Sequence, residues 1–383
     1  MDKEYQMCTR CVMDTTDPDI TFDENGVCNY CHYFDKYIKQ RWFPSQEGKR
    51  RLEKILDEIK KEGYGKDYDC LIGLSGGVDS SYLVLKAKEW GLRPLILHID
   101  TGWNYEVAVQ NIEKVVKYCG FDLYTHVMNW EDMKNLQIAY FRSGVANLDI
   151  PQDHAIVVWR YVIAEKMGIK YILTAANYAT ESIFPTGWEH HSNRDGKNLK
   201  AIYKRFGDGK KLKEYKTMGV WHFYFYYPFI KKIRVIRPLN FIPYIKKEAM
   251  KELHEKTGWR SYGTKHGESV FTRFFQNYFL IERFNYDKRK PHLSSLILSG
   301  QMTREEALEE LSKPLYDPKQ LEEDKLYMKK KLGLTKEEGF ETLLSVSKRR
   351  SSEFPSQERL ENFIKKLYWL IVKIRGKPII IHT

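Results

Sequence analysis

Residues 69–91 read DCLIGLSGGVDSSYLVLKAKEWG. CLIGL (70–74) has the length and apolar content of a buried strand, and Ser80 to Trp90 shows helical periodicity stopped by Gly91. Between them, two glycines, an acid and three hydroxyls occupy a strand-to-helix elbow. Gly76 and Gly77 have no Cβ, so the backbone can approach an oxyanion there, and the helix start behind them aims free N–H groups at it. Ser75, Ser80 and Ser81 add hydroxyl donors. Asp79 is the informative member, because an acid beside a phosphate makes sense chiefly with a divalent cation such as Mg2+ between them.

The elbow lacks the lysine of the G-x-x-x-x-G-K-[ST] loop. SGGVDSS resembles instead the signature of the PP-loop ATP pyrophosphatases, the group that includes GMP synthetase, asparagine synthetase and the tRNA thiolation and lysidine enzymes. The resemblance implies ATP as cofactor, cleavage between the α and β phosphates, and adenylation of a carbonyl oxygen.

Downstream, LRPLILHID (92–100) reads as a second buried strand ending at His98 and Asp100, followed by a helix (104–120) and a third strand, LYTHVM. PQDHAIVVWRYVIAEKMG is a further helix, and IKYILTAANYATES a strand running into a loop with Asn177, Thr180 and Glu181. This alternation predicts an α/β fold, a doubly wound parallel sheet with helices on both faces and ligands at the carboxyl ends of its strands. By the same resemblance, His98 and Asp100 receive adenine or ribose, and Asn177 and Glu181 lie over the phosphates and metal. A histidine like His98 is equally often a satisfied core residue.

CTRC and CNYC place Cys8, Cys11, Cys28 and Cys31 in two Cys-x-x-Cys pairs with sixteen residues between Cys11 and Cys28. That spacing fits a four-thiolate zinc ribbon, and with every position taken by sulfur the Zn2+ is expected to be structural. The remaining cysteines, Cys70 and Cys119, have no paired spacing, which disfavours sulfur transfer. No cysteine has the setting of a glutaminase nucleophile, so ammonia drawn from glutamine would need a separate subunit.

The bulk properties bound the rest. The chain has 383 residues, 42% of them hydrophobic, and a formal charge of +12. No stretch approaches the roughly 20 apolar residues of a bilayer span, and the first residues lack a signal-peptide pattern, so a cytoplasmic protein with no transmembrane segment is expected. The basic balance raises nucleic acid as a partner. The cations, however, mostly alternate with glutamates at helical spacing, as in KKEAMKELHEK, the pattern of a solvated face, and no nucleic acid is expected.

With the cysteine pairs, the motifs HIDTGWN, DIPQDHAI, NYATES, NLKAIYKRFG, RPLNFIPYIKKEA, GWRSYGTKHGES, FTRFFQ and DKRKPHLSSLILSGQMTREEAL together resemble the N-acetyl sugar amidotransferases of lipopolysaccharide O-antigen and pseudaminic acid biosynthesis, from Cys8 to about Tyr327. The resemblance implies conversion of an acetamido group on an acidic, often nucleotide-linked sugar to an acetamidino group. It also implies a glutaminase partner resembling that of histidine biosynthesis, in some systems with a cyclase-like companion. The family usually has glycines where this chain has Ala175 and Ala176, and a bulkier residue at Gly267. A tRNA-modifying pyrophosphatase is the alternative reading.

An acidic sugar calls for basic groups. YGTKHGESVFTR offers Lys265, His266, Glu268 and Arg273, and DKRKPH offers Lys288, Arg289, Lys290 and His292. Lys265, His266 and Glu268 are catalytic candidates, with His266 and Glu268 as bases or as structural and phosphate contacts. Arg160, inside the apolar helical stretch VVWRYV, either pairs with a buried acid or points at a ligand. The aromatic run WHFYFYYPFI reads as core or interface, or as a stacking surface. SKRRSSEFPSQER reads as a linker. FIKKLYWLIVKIRG is amphipathic with basic flanks, suited to packing or to a membrane surface. TREE at Thr303 and TKEE at Thr335 are capping boxes. The expected organisation is a cysteine knuckle (1–40), a helical linker (41–66), the pyrophosphatase domain (67–260) and a helical C-terminal region (261–383).

Overall fold

The computed structural model describes residues 4–188, 191–262, 267–335 and 339–375. Five strands form one parallel sheet in the order β3-β2-β1-β4-β5, with β1 Cys70–Gly73, β2 Pro94–Asp100, β3 Leu123–Val127, β4 Tyr171–Leu173 and β5 Arg234–Ile236. The central strands are short and buried on both sides, as helices on two faces require, while β3 at the edge alternates in exposure. The chain proceeds outward from β1 to β3 and then returns to lay β4 on the other side of β1, with Leu71 opposite Ile172. The order therefore reverses between β1 and β4, and the crevice beyond their carboxyl ends is where such sheets hold ligands.

After α1 (Asn29–Tyr33), α2 (Gln46–Glu62) covers one face with α3 (Val78–Glu89) and α4 (Glu106–Cys119). Leu52, Leu56 and Ile59 make α2 part of this core, with Leu83, Val115 and Ile236. The other face carries α5 (Trp130–Ser143), α6 (Ile150–Lys166) and α7 (Gly196–Phe206), whereas α8 (Lys246–Thr257) returns to pack on α3 and α4. Then follow α9 (Val270–Phe274), α10 (Leu280–Phe284), α11 (Arg289–Leu298), α12 (Arg304–Ser312), α13 (Pro318–Leu332), α14 (Phe340–Ser345) and α15 (Glu358–Arg375). Phe271, Phe274, Phe279, Met328 and Phe340 lie in the same apolar cluster as Leu95 and Leu97 of β2, so the C-terminal helices share the core of the sheet.

Residues 347–359 do not form the free linker expected of them. Ser351 and Phe354 are buried, the Ser351 carbonyl accepts Asn198 Nδ2 at 2.9 Å, and Asp195 Oδ2 accepts both Ser356 Oγ and the Gln357 N–H at 2.7 Å. The polar composition reflects bonding to α7, which local reading cannot see. The aromatic run is a π-helical turn, His222–Ile230, whose Phe223, Tyr224 and Tyr227 enter the core against α6. Thr303 begins α12 with the full reciprocal box to Glu306. The second box, expected at Thr335, runs into residues 336–338, which lie outside the described residues. No helix among the described residues is long and apolar enough to cross a membrane.

Candidate functional site

The N-terminal cysteines are brought together. Cys8 and Cys31 Sγ lie 3.8 Å apart, Cys11 and Cys28 3.7 Å, and Cys28 and Cys31 3.7 Å, all four buried. Bonds of about 2.3 Å at tetrahedral angles would put sulfurs about 3.8 Å apart, and a disulfide would hold them at about 2.05 Å. Backbone N–H groups of Arg10, Cys11 and Cys28 all donate to Cys8 Sγ, which favours a thiolate there. The donor set thus fits one metal ion with no open position. The knuckle is pinned to α11 and α12. Lys290 pairs with Asp14, and the Arg304 guanidinium donates to the carbonyls of Cys8 and Cys11.

At the switch point, the loop after β1 and the loop after β4 line two adjoining cavities of about 220 and 490 Å³ that share Ser75, Ser80, Ala175, Ala176, Glu181 and Glu268. Gly77 and Asp79 face the smaller one. Gly77 is the N-cap of α3, and a Cβ on it would sit 3.1 Å from Tyr262 Oη and 3.2 Å from Ser75 Oγ, so the bare backbone leaves room beside the helix start. Gly76 acts differently from the expectation. Its φ is +84°, and a Cβ there would collide with the Ala108 carbonyl of α4, so its freedom serves the turn and the packing of α4 rather than the approach of an anion. Ser81 also departs from its assigned place. It is fully buried in the α3 core side, and its hydroxyl has no partner among the described residues. Ser75, Gly77, Asp79 and Ser80 are the members of the loop that reach the cavity.

Three carboxylates look into the smaller cavity: Asp79, Glu181 and Glu268. The Tyr244 hydroxyl donates to Asp79, and the Tyr262 hydroxyl donates to Glu268 at 2.9 Å. Burial, helped by these carboxylates, pushes both phenols well above their ordinary pKa, so they remain donors. Glu268 also accepts the Ser75 hydroxyl at 3.4 Å and lines both cavities, which ties the loop to the larger space. Lys246 adds a cation to the smaller cavity. No local sequence signal marks Tyr244, Tyr262 and Lys246, because only the carboxylates that folding brings beside them give them a role.

The larger cavity lies over the ends of β1 and β2 and takes Arg160, Lys288 and His292 into its wall, with Asp149, Gln152 and Asp153 from the start of α6. Arg160 lines this cavity beside Asp153, its Nε donates to Ile156 O within its own helix, and no ion pair engages it among the described residues. Burial lowers its pKa. Burial likewise pushes Lys288 down to about 8, against the pull of Asp149 and Asp153. Arg273 and Arg289 do not reach the cavity. Arg273 makes two bonds of 2.8 and 2.9 Å to buried Asp324, and Arg289 grips Asp287 and the last carbonyls of α12. Their charges are spent on holding helices together.

His98 lines the larger cavity with both nitrogens engaged, Nδ1 to the Leu74 carbonyl at 3.0 Å and Nε2 to Asn104 Nδ2 at 2.9 Å, and burial lowers its pKa. It is a neutral ring that braces the elbow. Asp100 closes a turn by accepting the Gly102 N–H at 2.7 Å. Buried Asn177 spends its side chain on Ala175 O and on Thr180, shaping the loop that presents Glu181. Neither Asp100 nor Asn177 lines the cavities. Lys265 and His266 lie outside the described residues.

Residues 268–368 match the family model described as LPS biosynthesis protein WbpG-like, C-terminal domain. That match includes Glu268, Lys288 and His292. Among solved structures the chain is similar to NMN synthetase from Francisella tularensis, at 15% identity and a TM-score of 0.36, covering 76% of this chain and 96% of that one. It is similar to the NH3-dependent NAD synthetase from Campylobacter jejuni, at 13% and 0.31, covering 75% and 97%. The U34-tRNA thiolase NcsA from Methanococcus maripaludis gives 16% and 0.32, covering 77% and 86%. At these values the fold rests on the strand order itself. No curated protein matches the chain.

Proposed function

We propose that the chain is an ATP-dependent amidotransferase that converts an acetamido group of an acidic, nucleotide-linked or nonulosonic sugar to an acetamidino group in surface polysaccharide biosynthesis. The observation that carries this reading is one pair of adjoining cavities with two chemistries. The smaller has a bare helix start, hydroxyls and carboxylates suited to a triphosphate and Mg2+, and the larger has Arg160 and Lys288 suited to an anion. The lipopolysaccharide description of the matched C-terminal region supports a sugar substrate.

A secondary amide is a poor electrophile. Attack of its oxygen on the α phosphorus breaks the α–β bond, releases pyrophosphate and leaves an O-adenylyl imidate. Ammonia then adds at the imidate carbon, AMP leaves with the former amide oxygen, and the surplus proton passes to a base. Ser75, Gly77 and Ser80 hold the departing pyrophosphate, Asp79 and Glu181 hold Mg2+, and Arg160 and Lys288 hold the sugar's acidic group. Glu268, placed between the two spaces, is the base. A Zn2+ in the knuckle is structural. Ammonia comes from a separate glutaminase subunit.

Incubation of the full chain with ATP, Mg2+, ammonium and a CMP- or UDP-linked or free diacetamido sugar acid should give AMP, pyrophosphate and a product lighter by the difference between O and NH. Release of ADP, or AMP formation that depends on tRNA and yields a thiolated base, would overturn the reading.

A further inference from the structure

The π-helical turn His222–Ile230 sends Phe223, Tyr224 and Tyr227 inward and leaves Trp221, Phe225 and Phe229 facing solvent. A π-helix has about 4.4 residues per turn, so steps of four keep these three on one side. Trp221 and Phe225 stack with centroids 4.9 Å apart, and Phe225 and Phe229 follow at 5.8 Å. Helix α15 runs beside the turn in the same direction, because the Val220 N–H donates to Gln357 Oε1 and, four residues on, the Tyr224 hydroxyl donates to Glu361. It exposes Leu360, Phe363 and Leu367. The six side chains are between 46% and 63% exposed. A solvated surface normally scatters such groups singly.

The cations lie where this ridge ends. Lys231 and Lys365 are taken up by Glu165 and Glu361, but exposed Lys166, Lys232 and Lys366 have no ion pair among the described residues. Beyond Leu367 the helix sequence continues as YWLIVKIR, apolar with two more cations. None of the ridge lines either cavity. The turn packs on the outer side of α6, with Tyr227 stacked on Tyr161 at 4.5 Å and Tyr226 bonded to Glu165. The ridge is therefore no stacking platform for a substrate.

We infer that this aromatic ridge, with α15 beside it, lies in the headgroup region of an anionic bilayer, leaving the cavities turned to the water. Aromatic and leucine side chains beside lysines are the composition of an interfacial surface, and the net charge of +12 adds attraction to anionic lipid.

The test is flotation of the full chain with vesicles of phosphatidylcholine containing about one third phosphatidylglycerol, against phosphatidylcholine alone. Binding at least about tenfold stronger to the anionic vesicles is expected, with at least a tenfold loss in the triple variant Trp221→Ser, Phe225→Ser, Phe229→Ser at an unchanged melting temperature. The variant Lys166→Glu, Lys232→Glu, Lys366→Glu should lose the preference for anionic lipid while the aromatic ridge stays intact. Quenching of tryptophan fluorescence by brominated lipid, reduced in Trp221→Leu, would report insertion independently of yield. Equal binding to both vesicles, or undiminished binding of the aromatic variant, overturns the inference. So does a dimer in lipid-free sedimentation that the aromatic variant converts to monomer, because the ridge would then cover a second copy.

Discussion

The cysteine knuckle and the paired cavities are both built from short motifs, yet they treat their polar groups in opposite ways. In the knuckle every donor turns inward: four sulfurs face one another, and the N–H groups of Arg10, Cys11 and Cys28 bond to Cys8. In the cavities, Asp79, Glu181, Glu268, Arg160 and Lys288 face an open space of several hundred cubic ångströms. A closed donor set stabilises and an open one binds. The contrast can be attacked at four points.

The largest effect is expected at the knuckle. Residues 4–38 have only a small core of their own, so the metal should supply most of their folding energy, of the order of 10 kcal/mol as for zinc-finger peptides. Cys28→Ser, or a strong chelator, should release one Zn2+ per chain and open this segment to protease, while the sheet persists. Mass spectrometry of the native protein reads the first and limited proteolysis the second. Iron or no metal in the purified protein would break the assignment.

Next come the arginines, where the same residue type plays both parts. Arg273 is inward-turned like the knuckle, so Arg273→Met strands buried Asp324 and should cost about 3 kcal/mol or more in urea unfolding. Arg160→Met removes a buried guanidinium with no ion pair among the described residues. It should leave stability unchanged or raised, and weaken binding of an acidic sugar instead. Reversed outcomes would dissolve the distinction.

How far the sequence revealed these regions follows from the reach of each interaction. The elbow at 70–90 and the Thr303 box are set by residues within a few turns, and each half of the knuckle by a Cys-x-x-Cys pair, so local chemistry announces them. The role of Gly76 depends on Ala108, that of Arg273 on Asp324, and that of Arg289 on the end of α12. No local pattern carries those contacts. The π-helical turn and β5 were equally hidden, since the run WHFYFYYPFI has no apolar–polar period to read and the three residues of β5 are too few to show an alternation. Segment 347–359 looks like a linker for a related reason: its polar groups bond to α5 and α7 rather than to water.

A smaller effect tests the open side. Lys288 has its pKa pushed down to about 8, so it is a cation below that pH and loses its charge as pH rises through it. Affinity for an acidic sugar, measured by calorimetry so that ammonia supply plays no part, should be constant below pH 8. Above pH 8 it should fall by up to about tenfold per unit. Lys288→Met should bind weakly at every pH and show no such break. A break that survives the substitution would move the titration to another group.

The smallest effect probes where the closed region meets the rest. Thr303 Oγ1 accepts the Glu306 N–H at 3.1 Å, and Glu306 returns a carboxylate to the Thr303 N–H at 2.8 Å. Thr303→Ala removes one of the two bonds and should cost about 1 kcal/mol. The next residue, Arg304, holds the carbonyls of Cys8 and Cys11, so the first turn of α12 is also the knuckle's anchor. A frayed turn should therefore raise the rate of metal loss to a chelator, although no sulfur has been touched. If Thr303→Ala lowers the melting temperature and leaves metal release unchanged, the knuckle keeps its ion by its own geometry alone, and its closure is independent of the helices it rests on.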